Sequence, residues 1–286
     1  MTTVYLNGEF LPIAEAKVQA MDRGFLFGDG AYEVIPVYSR RPFRLTEHLA
    51  RLRHTLDGIR LANPHGDEEW ARLIGEIIAR NAGEDQSVYL QITRGADNKR
   101  NHAFPARVTP TVYIMSEPLV TPPPAQRETG IAAVSAPDVR WMRCDLKTTS
   151  LLANCLLRQL AIDAGCVETI LFRDGFMTEG AASNIFAVKQ GVLLAPPKNH
   201  LMLPGITYDV VLELAARHGL PCEVRDVLEA EARGADELWM TSSTKEVLPI
   251  VRLDGQPVGT GQPGPVFARM YAWYQAFKQT VMRAGG

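Results

Sequence analysis

Lys147 stands in a sequence context that differs from that of the other lysines. It follows Arg-Trp-Met-Arg-Cys-Asp at 140–145 and comes shortly before Ser-Leu-Leu at 150–152, where a buried helix is predicted to begin. Partial burial would lower the pKa of an amine at this position, and an unprotonated amine can condense with a carbonyl group. Lys147 is therefore a candidate for imine chemistry. An ordinary surface lysine is the alternative interpretation when the residue is taken alone.

The Glu179 carboxylate could pair with the nitrogen of a heteroaromatic ring. It lies in Thr-Glu-Gly-Ala-Ala-Ser-Asn at 178–184, after the turn at Asp174-Gly175 and before a predicted strand at 185–188. A pyridine nitrogen that must stay protonated and draw electrons from a carbanion needs a carboxylate of this kind. The alternative interpretation is an exposed glutamate in a loop.

Two further segments are suited to binding a phosphate group. Leu-Pro-Gly-Ile-Thr at 203–207 leads directly into a predicted helix, so free backbone N–H groups and the Thr207 hydroxyl converge at the positive end of a helix dipole. Thr-Ser-Ser-Thr at 241–244 follows a β-rich segment and could supply more donors, although an N-cap and a polar turn would look the same. An amine, a carboxylate and a phosphate cradle are the groups that an anionic, aromatic, carbonyl-bearing cofactor requires.

Motifs of other enzyme classes are missing from the sequence. It contains no P-loop, no Gly-x-Ser-x-Gly, no His-Glu-x-x-His and no complete Gly-x-Gly-x-x-Gly. The four cysteines, at 144, 155, 166 and 222, lack Cys-x-x-Cys spacing, which disfavours a zinc site and a disulfide framework. We therefore expect no metal and four reduced thiols.

The charge and hydropathy of the sequence limit the kinds of molecule that we expect the protein to bind. The net charge of the 286 residues is −2, and the basic residues form no run of like charge, which disfavours nucleic acid as a partner. No apolar stretch approaches the roughly 20 residues that cross a bilayer, and the first ten residues do not look like a signal peptide. We expect a cytoplasmic protein that acts on small polar molecules and not on membranes.

The first part of the chain is predicted to mix strands and helices. Asn-Gly at 7–8 is a strong two-residue turn signal, so residues 4–13 are predicted to form a β-hairpin, and residues 31–38 have strand composition. Thr46 is predicted to cap a helix whose apolar face carries Leu49, Leu52, Leu56 and Ile59. The other predicted elements of this part are a helix at 67–81 and strands at 88–92 and 111–115.

Three consecutive prolines, at 122–124, predict an extended connector between two domains. We place a small N-terminal α/β domain at 1–120, the connector at 121–129 and a larger mixed α/β domain at 130–286. The fold class is α/β (α+β). The elements predicted beyond the connector are a strand near 131, strands at 168–173 and 183–189, and helices at 150–165, 207–218 and 264–282.

The segments at 140–147, 178–184 and 203–207 occur in the order found in class IV aminotransferases, the fold-type IV enzymes that use pyridoxal 5'-phosphate (PLP), and the chain resembles this family over nearly its whole length. The resemblance implies that Lys147 forms the Schiff base with PLP and shuttles protons, and that Glu179 binds the pyridine nitrogen. It also implies a phosphate ligand in Arg51, from His-Leu-Ala-Arg-Leu at 48–52. Leu203 would pack on the ring, and the phosphate cradle would be completed by Ile206, Thr207 and Ser243.

Within this family the sequence is most similar to D-amino acid aminotransferases, because Arg-Asn-His-Ala-Phe-Pro at 100–105 follows Arg94-Gly95. In an extended segment, Arg100 and His102 would face the same side and could converge on one carboxylate. The resemblance implies that Tyr32 completes this carboxylate trap and that the Arg-x-His loop comes from the neighbouring subunit of a homodimer. A solvated loop is the alternative interpretation of residues 97–102.

The resemblance implies transamination between a D-amino acid, such as D-alanine, and a 2-oxo acid, such as 2-oxoglutarate. The alternatives of the same fold are a branched-chain L-amino acid aminotransferase, an aminodeoxychorismate lyase and an (R)-amine transaminase. A non-catalytic PLP-binding protein is a further alternative. Pro36 stands where related enzymes carry lysine, and Ala181-Ala182 replace part of a serine run, so the choice among substrates is left open.

Overall fold

Two units make up the part of the chain that the computed structural model describes, residues 2–284. The first unit runs to Leu119 and also contains Leu146–Leu151 and the residues from Val281 onward. The second unit comprises Val120–Asp145 and Leu152–Thr280. The six residues around Lys147 therefore group with the first unit, although the sequence-based division assigns them to 130–286. That division, with its connector at 121–129, stays a prediction.

The first unit contains an antiparallel sheet with the strand order β2-β1-β6-β5-β3-β4. The hairpin predicted around Asn7-Gly8 is confirmed. Both turn residues have positive φ, 50° for Asn7 and 106° for Gly8, which suits a type I′ hairpin turn. The strands are β1 (Thr3–Leu6), β2 (Glu9–Pro12), β3 (Gly30–Tyr38), β4 (Arg41–Pro42), β5 (Gln86–Thr93) and β6 (Thr111–Pro118).

Three α-helices of the first unit are α1 (Arg23–Phe27), α2 (Leu45–Gly58) and α3 (Asp67–Arg80). The predicted apolar face of α2 is confirmed at Leu49, Leu52 and Leu56, which are buried in the core against the sheet and α3. The prediction of Thr46 as the N-cap is wrong. The N-cap lies two residues earlier, at Arg44, which has a φ of 52° and makes no side-chain cap. The left-handed turn at Arg44, and not a capping hydroxyl, sets the start of this helix.

The second unit contains a mixed sheet with the order β12-β11-β10-β13-β14-β7-β8-β9, and β15 pairs with β14. The pairs β11/β12, β14/β7 and β7/β8 are parallel, and the other pairs are antiparallel. The strands are β7 (Ile131–Pro137), β8 (Glu168–Arg173), β9 (Phe176–Gly180), β10 (Asn184–Lys189), β11 (Val192–Ala195), β12 (Cys222–Val224), β13 (Glu237–Ser242), β14 (Glu246–Leu253) and β15 (Gln256–Pro257).

The α-helices of the second unit are α4 (Pro124–Glu128), α5 (Leu152–Asp163), α6 (Ile206–Arg217), α7 (Glu229–Arg233) and α8 (Pro265–Phe277), and a π-helical turn follows at Lys278–Met282. The helices predicted at 150–165, 207–218 and 264–282 are confirmed as α5, α6 and α8 with shifts at their ends, whereas the sequence did not predict α4 and α7. The extended conformation predicted across the three prolines is wrong at Pro124, which begins α4. Proline suits this first helical position because the N–H that it lacks would have had no partner within the helix.

None of the helices within residues 2–284 combines the length and the apolar composition that a membrane crossing requires.

Candidate active site

Lys147 is held in the first unit by hydrogen bonds on both sides of its backbone. Its N–H donates to Thr55 Oγ1 of α2 at 3.1 Å, and its carbonyl accepts from the N–H of Tyr32 on β3 at 3.0 Å. The side chain is half-buried, and Nζ lies 4.1 Å from the centroid of the Tyr32 ring. Helix α2 and strand β3 therefore position the lysine, and they direct its amine onto an aromatic face.

A buried cluster of three charged or titratable side chains joins the same two elements. Glu33 of β3 accepts from Arg51 Nε at 2.8 Å and from Arg51 Nη2 at 2.7 Å, and His48 Nδ1 lies 2.8 Å from Glu33 Oε2. Burial alone would raise the pKa of Glu33, but Arg51 and His48 outweigh it and hold this pKa well below its usual range. The two bonds to one carboxylate fix the plane of the Arg51 guanidinium, the predicted phosphate ligand.

The pKa of the His48 imidazole lies below its usual range in this cluster. Burial lowers this pKa, and this effect with the positive charges of Arg51 and Lys147 outweighs the attraction of Glu33. A neutral ring that donates from Nδ1 to Glu33 keeps a lone pair on Nε2. Within residues 2–284 this Nε2 has no hydrogen-bond partner. The sequence motif at 48–52 placed Arg51 in the site but gave His48 no role.

Arg100 and His102 lie on the irregular segment between β5 and β6, and both side chains are exposed. Both side chains lie close to the ring of Phe27 in α1, which brings the predicted pair together. The His102 ring lies 5.2 Å from the Phe27 ring, and the Arg100 Cζ atom lies 5.1 Å from the centroid of the same ring. The Tyr32 ring, in contrast, packs at 5.7 Å from Tyr89 and against Lys147. Phe27 therefore brings together two of the three predicted carboxylate ligands.

Glu179 lies in the second unit, on strand β9 and not in the loop of the alternative interpretation. It is buried, and Arg140 Nη1 donates to its Oε1. The Leu203 N–H lies 3.2 Å from both carboxylate oxygens, and Asn184 Nδ2 lies 3.3 Å from Oε2. The carboxylate is thus held by donors from three segments. The contact with Leu203 ties it to the predicted phosphate-binding segment.

Arg140 is shared between two buried carboxylates. Asp138 accepts from Arg140 Nε and Nη2, both at 2.9 Å, and also from Thr178 Oγ1 at 3.0 Å. Arg173 Nη2 lies 3.1 Å from Asp138 Oδ1. Burial raises the pKa of Glu179 to about 7, since the lowering by Arg140 and by the Leu203 N–H is smaller, and the charge of Asp138 raises it further. A carboxylate poised near neutrality can exchange a proton with a bound base.

The segments that carry the predicted phosphate ligands Ile206, Thr207 and Ser243 of the second unit both approach Asn184. A Cβ atom at Gly205, the N-cap of α6, would lie 2.0 Å from Asn184 Oδ1, so only glycine allows this close approach. Strand pairing places Thr241 opposite Asn184, and the Thr241 hydroxyl is buried without a hydrogen-bond partner among the described residues. The start of α6, with Ile206 and Thr207, therefore lies near the end of β13, which Ser243 follows.

Arg140, Asp138 and Asn184 are residues to which the sequence analysis gave no role. Arg140 stands in the same motif as Lys147, and a buried arginine requires a partner, but the sequence does not say which carboxylate this is. Asn184 ends the Glu179 motif, where a side-chain amide can bridge neighbouring segments. Their roles depend on contacts between β9, β10 and the segments at 138–140 and 203–205, which are distant in sequence.

Comparison with known proteins gives consistent matches. The model of the family "Amino-transferase class IV" matches residues 30–253. A D-alanine aminotransferase of Bacillus licheniformis is 40% identical over 263 residues, which are 92% of each chain. The branched-chain amino acid aminotransferase of Escherichia coli is similar in structure, with a TM-score of 0.88 and 28% identity over 97% of this chain and 94% of that chain. The branched-chain enzyme of Thermoproteus uzoniensis, solved with norvaline, has a TM-score of 0.84 and 26% identity over 97% and 95%.

Proposed function

Because the chain belongs to the class IV aminotransferases, we propose that it uses PLP to transfer the amino group between a D-amino acid, such as D-alanine, and a 2-oxo acid, such as 2-oxoglutarate. The observation that carries the D-amino acid assignment is the 40% identity with a D-alanine aminotransferase over 92% of each chain. The pairing of Arg100 with His102 on Phe27 supports it, because a guanidinium and an imidazole in one place suit a carboxylate.

The donors and acceptors of the site fit this cofactor. The start of α6 offers backbone N–H groups and the Thr207 hydroxyl, and the Thr241 hydroxyl still lacks a partner among the described residues. These groups, with Arg51 and Ser243, would hold a phosphate. Leu203 would pack against the ring. When bound, PLP supplies a carbonyl that condenses with amines and a ring that accepts the electron pair left after removal of the α-proton.

Lys147 would carry the proton between carbon atoms. Its half-buried amine, when released by the incoming substrate, would take the substrate's α-proton on Nζ and would deliver it to the carbon on the other side of the transferred nitrogen. The two backbone hydrogen bonds to Thr55 and Tyr32 hold the main chain still while the side chain moves. The contact of Nζ with the face of the Tyr32 ring would hold the released amine in a defined position.

Glu179 would keep the ring nitrogen protonated. Its carboxylate already accepts from Arg140, Leu203 and Asn184, so it is oriented before the cofactor binds. Preoriented groups stabilise developing charge without reorganising during the reaction. With a pKa near 7 in the protein alone, Glu179 can give or accept the proton that the ring nitrogen requires.

We further propose that the chain acts as a homodimer. In this dimer, Arg100 and His102 bind the carboxylate of a substrate that lies in the active site of the neighbouring subunit, with Tyr32 as the third ligand. The exposure of both side chains supports this, because exposed groups can reach a second copy.

A substrate panel tests the proposed function. The purified protein with PLP is given D-alanine, L-leucine, L-valine or a primary amine together with 2-oxoglutarate, and the chirality of the glutamate product is measured. We expect turnover of D-alanine and formation of D-glutamate. The similarity to branched-chain enzymes favours one competing outcome, L-glutamate from L-leucine, which would replace the D-amino acid assignment.

Arg100→Ala is expected to lower kcat/KM for D-alanine by roughly tenfold or more, because it removes a hydrogen bond between two charged groups. PLP affinity should be unchanged, since Arg100 has no role in holding the cofactor. The matched control is Lys99→Ala, which removes an exposed positive charge from the neighbouring position of the same loop. Steady-state kinetics and a PLP titration measure both effects. Equal kinetics for Arg100→Ala and wild type would contradict the carboxylate role.

The shared site makes a separate prediction for mixed dimers. A Lys147→Ala subunit and an Arg100→Ala/His102→Ala subunit each lack one part of the site. If the loop acts across the dimer, their heterodimer contains one complete site and should recover about half of wild-type activity per dimer. Tandem affinity tags isolate the heterodimer, and each parent homodimer serves as the control. Absence of recovered activity in the isolated heterodimer would place the loop in its own subunit's site.

A further inference from the structure

Arg23 is a buried arginine that supports the loop of Arg100 and His102. It is the first residue of α1 and is 3% exposed. Its Nη1 donates to the carbonyl of Asn101 at 2.5 Å and to that of Ala103 at 3.3 Å, and its Nη2 donates to the carbonyl of His102 at 3.1 Å. Both terminal nitrogens are therefore directed at three successive carbonyls of one irregular segment.

The segment depends on these bonds because it belongs to no helix or strand. Its carbonyls do not take part in the hydrogen bonding of a helix or a sheet, so they need hydrogen-bond donors from elsewhere. An arginine suits this task, because its planar guanidinium offers several donors in a fixed geometry. The side chains of Arg100 and His102 are exposed while the backbone between and beside them is held from within.

The Arg23 guanidinium is itself held in place. Its Nε donates to Asp29 Oδ2 at 2.7 Å, and Arg94 Nε donates to the same oxygen at 2.8 Å. Arg94 in turn donates to the carbonyls of Ile59 and Arg60, and its guanidinium lies 3.7 Å from the centroid of the Phe104 ring. Asp29 thus links two arginines that contact the 101–104 segment, Arg23 through three of its carbonyls and Arg94 through the Phe104 ring.

Helix α1 also carries the ring on which the pair rests. Phe27 lies four residues after Arg23, on the same face of the helix, and the Arg23 guanidinium lies 4.8 Å from its ring centroid. The helix is anchored at its start by Asp22, which accepts from the Gly24 N–H at 2.7 Å and from Thr111 Oγ1 at 2.6 Å. Backbone and side chains of the loop are therefore positioned by one short, anchored element.

We propose that Arg23 is a positioning residue for substrate recognition. By fixing the carbonyls of 101–103, it holds Arg100 and His102 in the arrangement that binds the substrate carboxylate. This inference rests on the proposed function of Arg100 and His102. Arg23 is buried beneath the loop, and its terminal nitrogens are engaged by the carbonyls. It acts through its neighbours and does not bind the substrate itself.

The conservative variant Arg23→Lys tests the proposal in the PLP-loaded protein. Lysine keeps the positive charge beside Asp29. Its single ammonium group, however, cannot donate to three carbonyls in the fixed planar geometry of a guanidinium. We expect KM for D-alanine to rise about tenfold, since hydrogen bonds from a charged group are lost, while kcat changes less than about twofold and PLP affinity is unchanged. Hydrogen–deuterium exchange of the peptide covering 97–104 should become at least about tenfold faster, because its backbone is released.

Arg40→Lys is the matched control. Arg40 belongs to the same unit and also donates to main-chain carbonyls, those of Ile78, Ala79, Asn81 and Gly83, but these belong to a different segment. Its replacement should leave both KM and the exchange of 97–104 at wild-type values. A matching rise in the two variants would reduce the Arg23 effect to general destabilisation and overturn the proposal.

Combining Arg23→Lys with Arg100→Ala/His102→Ala separates the two proposals. If Arg23 acts through Arg100 and His102, the combined variant should show nearly the KM of Arg100→Ala/His102→Ala alone, whereas independent roles would multiply the two effects. Additive effects, or wild-type exchange of 97–104 in Arg23→Lys, would overturn the positioning role of Arg23 alone. An unchanged KM in Arg100→Ala would remove the carboxylate role of the loop, and with it this part of the proposed function.

Discussion

Replacing Lys147 with alanine is expected to abolish transamination and to prevent PLP from becoming covalently attached to the protein. The reaction as proposed needs one amine that first holds the cofactor and then moves the α-proton, and the Lys147 amine, half-buried on the Tyr32 ring, is the group assigned to both tasks. Without it, neither the linkage nor the proton transfer has a substitute at that position. The loss should exceed that caused by replacing Glu179 or Arg100.

Borohydride reduction followed by denaturation and peptide mass spectrometry measures the covalent link, and a coupled assay measures turnover. Lys147→Ala should still bind PLP without a covalent bond, since Arg51, Thr207 and Ser243 would continue to hold the phosphate. Lys189→Ala is the control, because this lysine is 46% exposed and paired with Asp236 on the surface. Wild-type turnover by Lys147→Ala, or a reduced label on another lysine, would refute the assignment.

Glu179→Gln is expected to slow removal of the substrate α-proton by about a hundredfold, a loss typical of a preoriented group that stabilises developing charge. The neutral amide keeps the size of the side chain but cannot hold a proton on the ring nitrogen by charge. Binding should change much less, because the phosphate and carboxylate ligands are untouched. The rate of exchange of the α-deuterium of D-[α-²H]alanine into solvent isolates this step from product release.

Glu237→Gln is the matched control for Glu179→Gln. Glu237 is also a buried carboxylate of the second unit, but it accepts from the N–H groups of Val266 and Phe267 at the start of α8. Its replacement should lower the free energy of unfolding and leave the α-proton step intact. A Glu179→Gln rate within about tenfold of wild type, which corresponds to roughly 1.4 kcal/mol in the barrier, would mean that the carboxylate contributes little to this step.

Elements with a strong local signal could be predicted from the sequence. The hairpin follows from Asn7-Gly8, whose backbone geometry few other residue pairs adopt. Helix α3 follows from apolar residues repeated at helical spacing, and strand β8 has the same ends in the structure as in the sequence-based prediction. In each case, the residues that specify the element are close together in the chain.

Two predictions were wrong where the local composition is compatible with more than one conformation. Thr46 is a residue type that favours the N-cap position, but the N-cap of α2 is Arg44, two residues earlier, in a left-handed conformation. Pro124 belongs to a proline run that favours extended chain, yet it begins a short helix. Composition alone does not distinguish these cases, because the same residues are compatible with both conformations.

The sequence by itself determined the chemical groups predicted for the site: one lysine, one glutamate, two segments predicted to bind phosphate and an Arg-x-His pair, in an order typical of class IV aminotransferases. Only the tertiary structure decided what surrounds them. Arg140 and Leu203 meet at Glu179, Thr55 and Tyr32 hold Lys147, and Arg23 supports a loop almost eighty residues away along the chain. The physical reason is that a buried charge or an unpaired carbonyl must find a partner, and the sequence shows the need but only the fold brings the partner near.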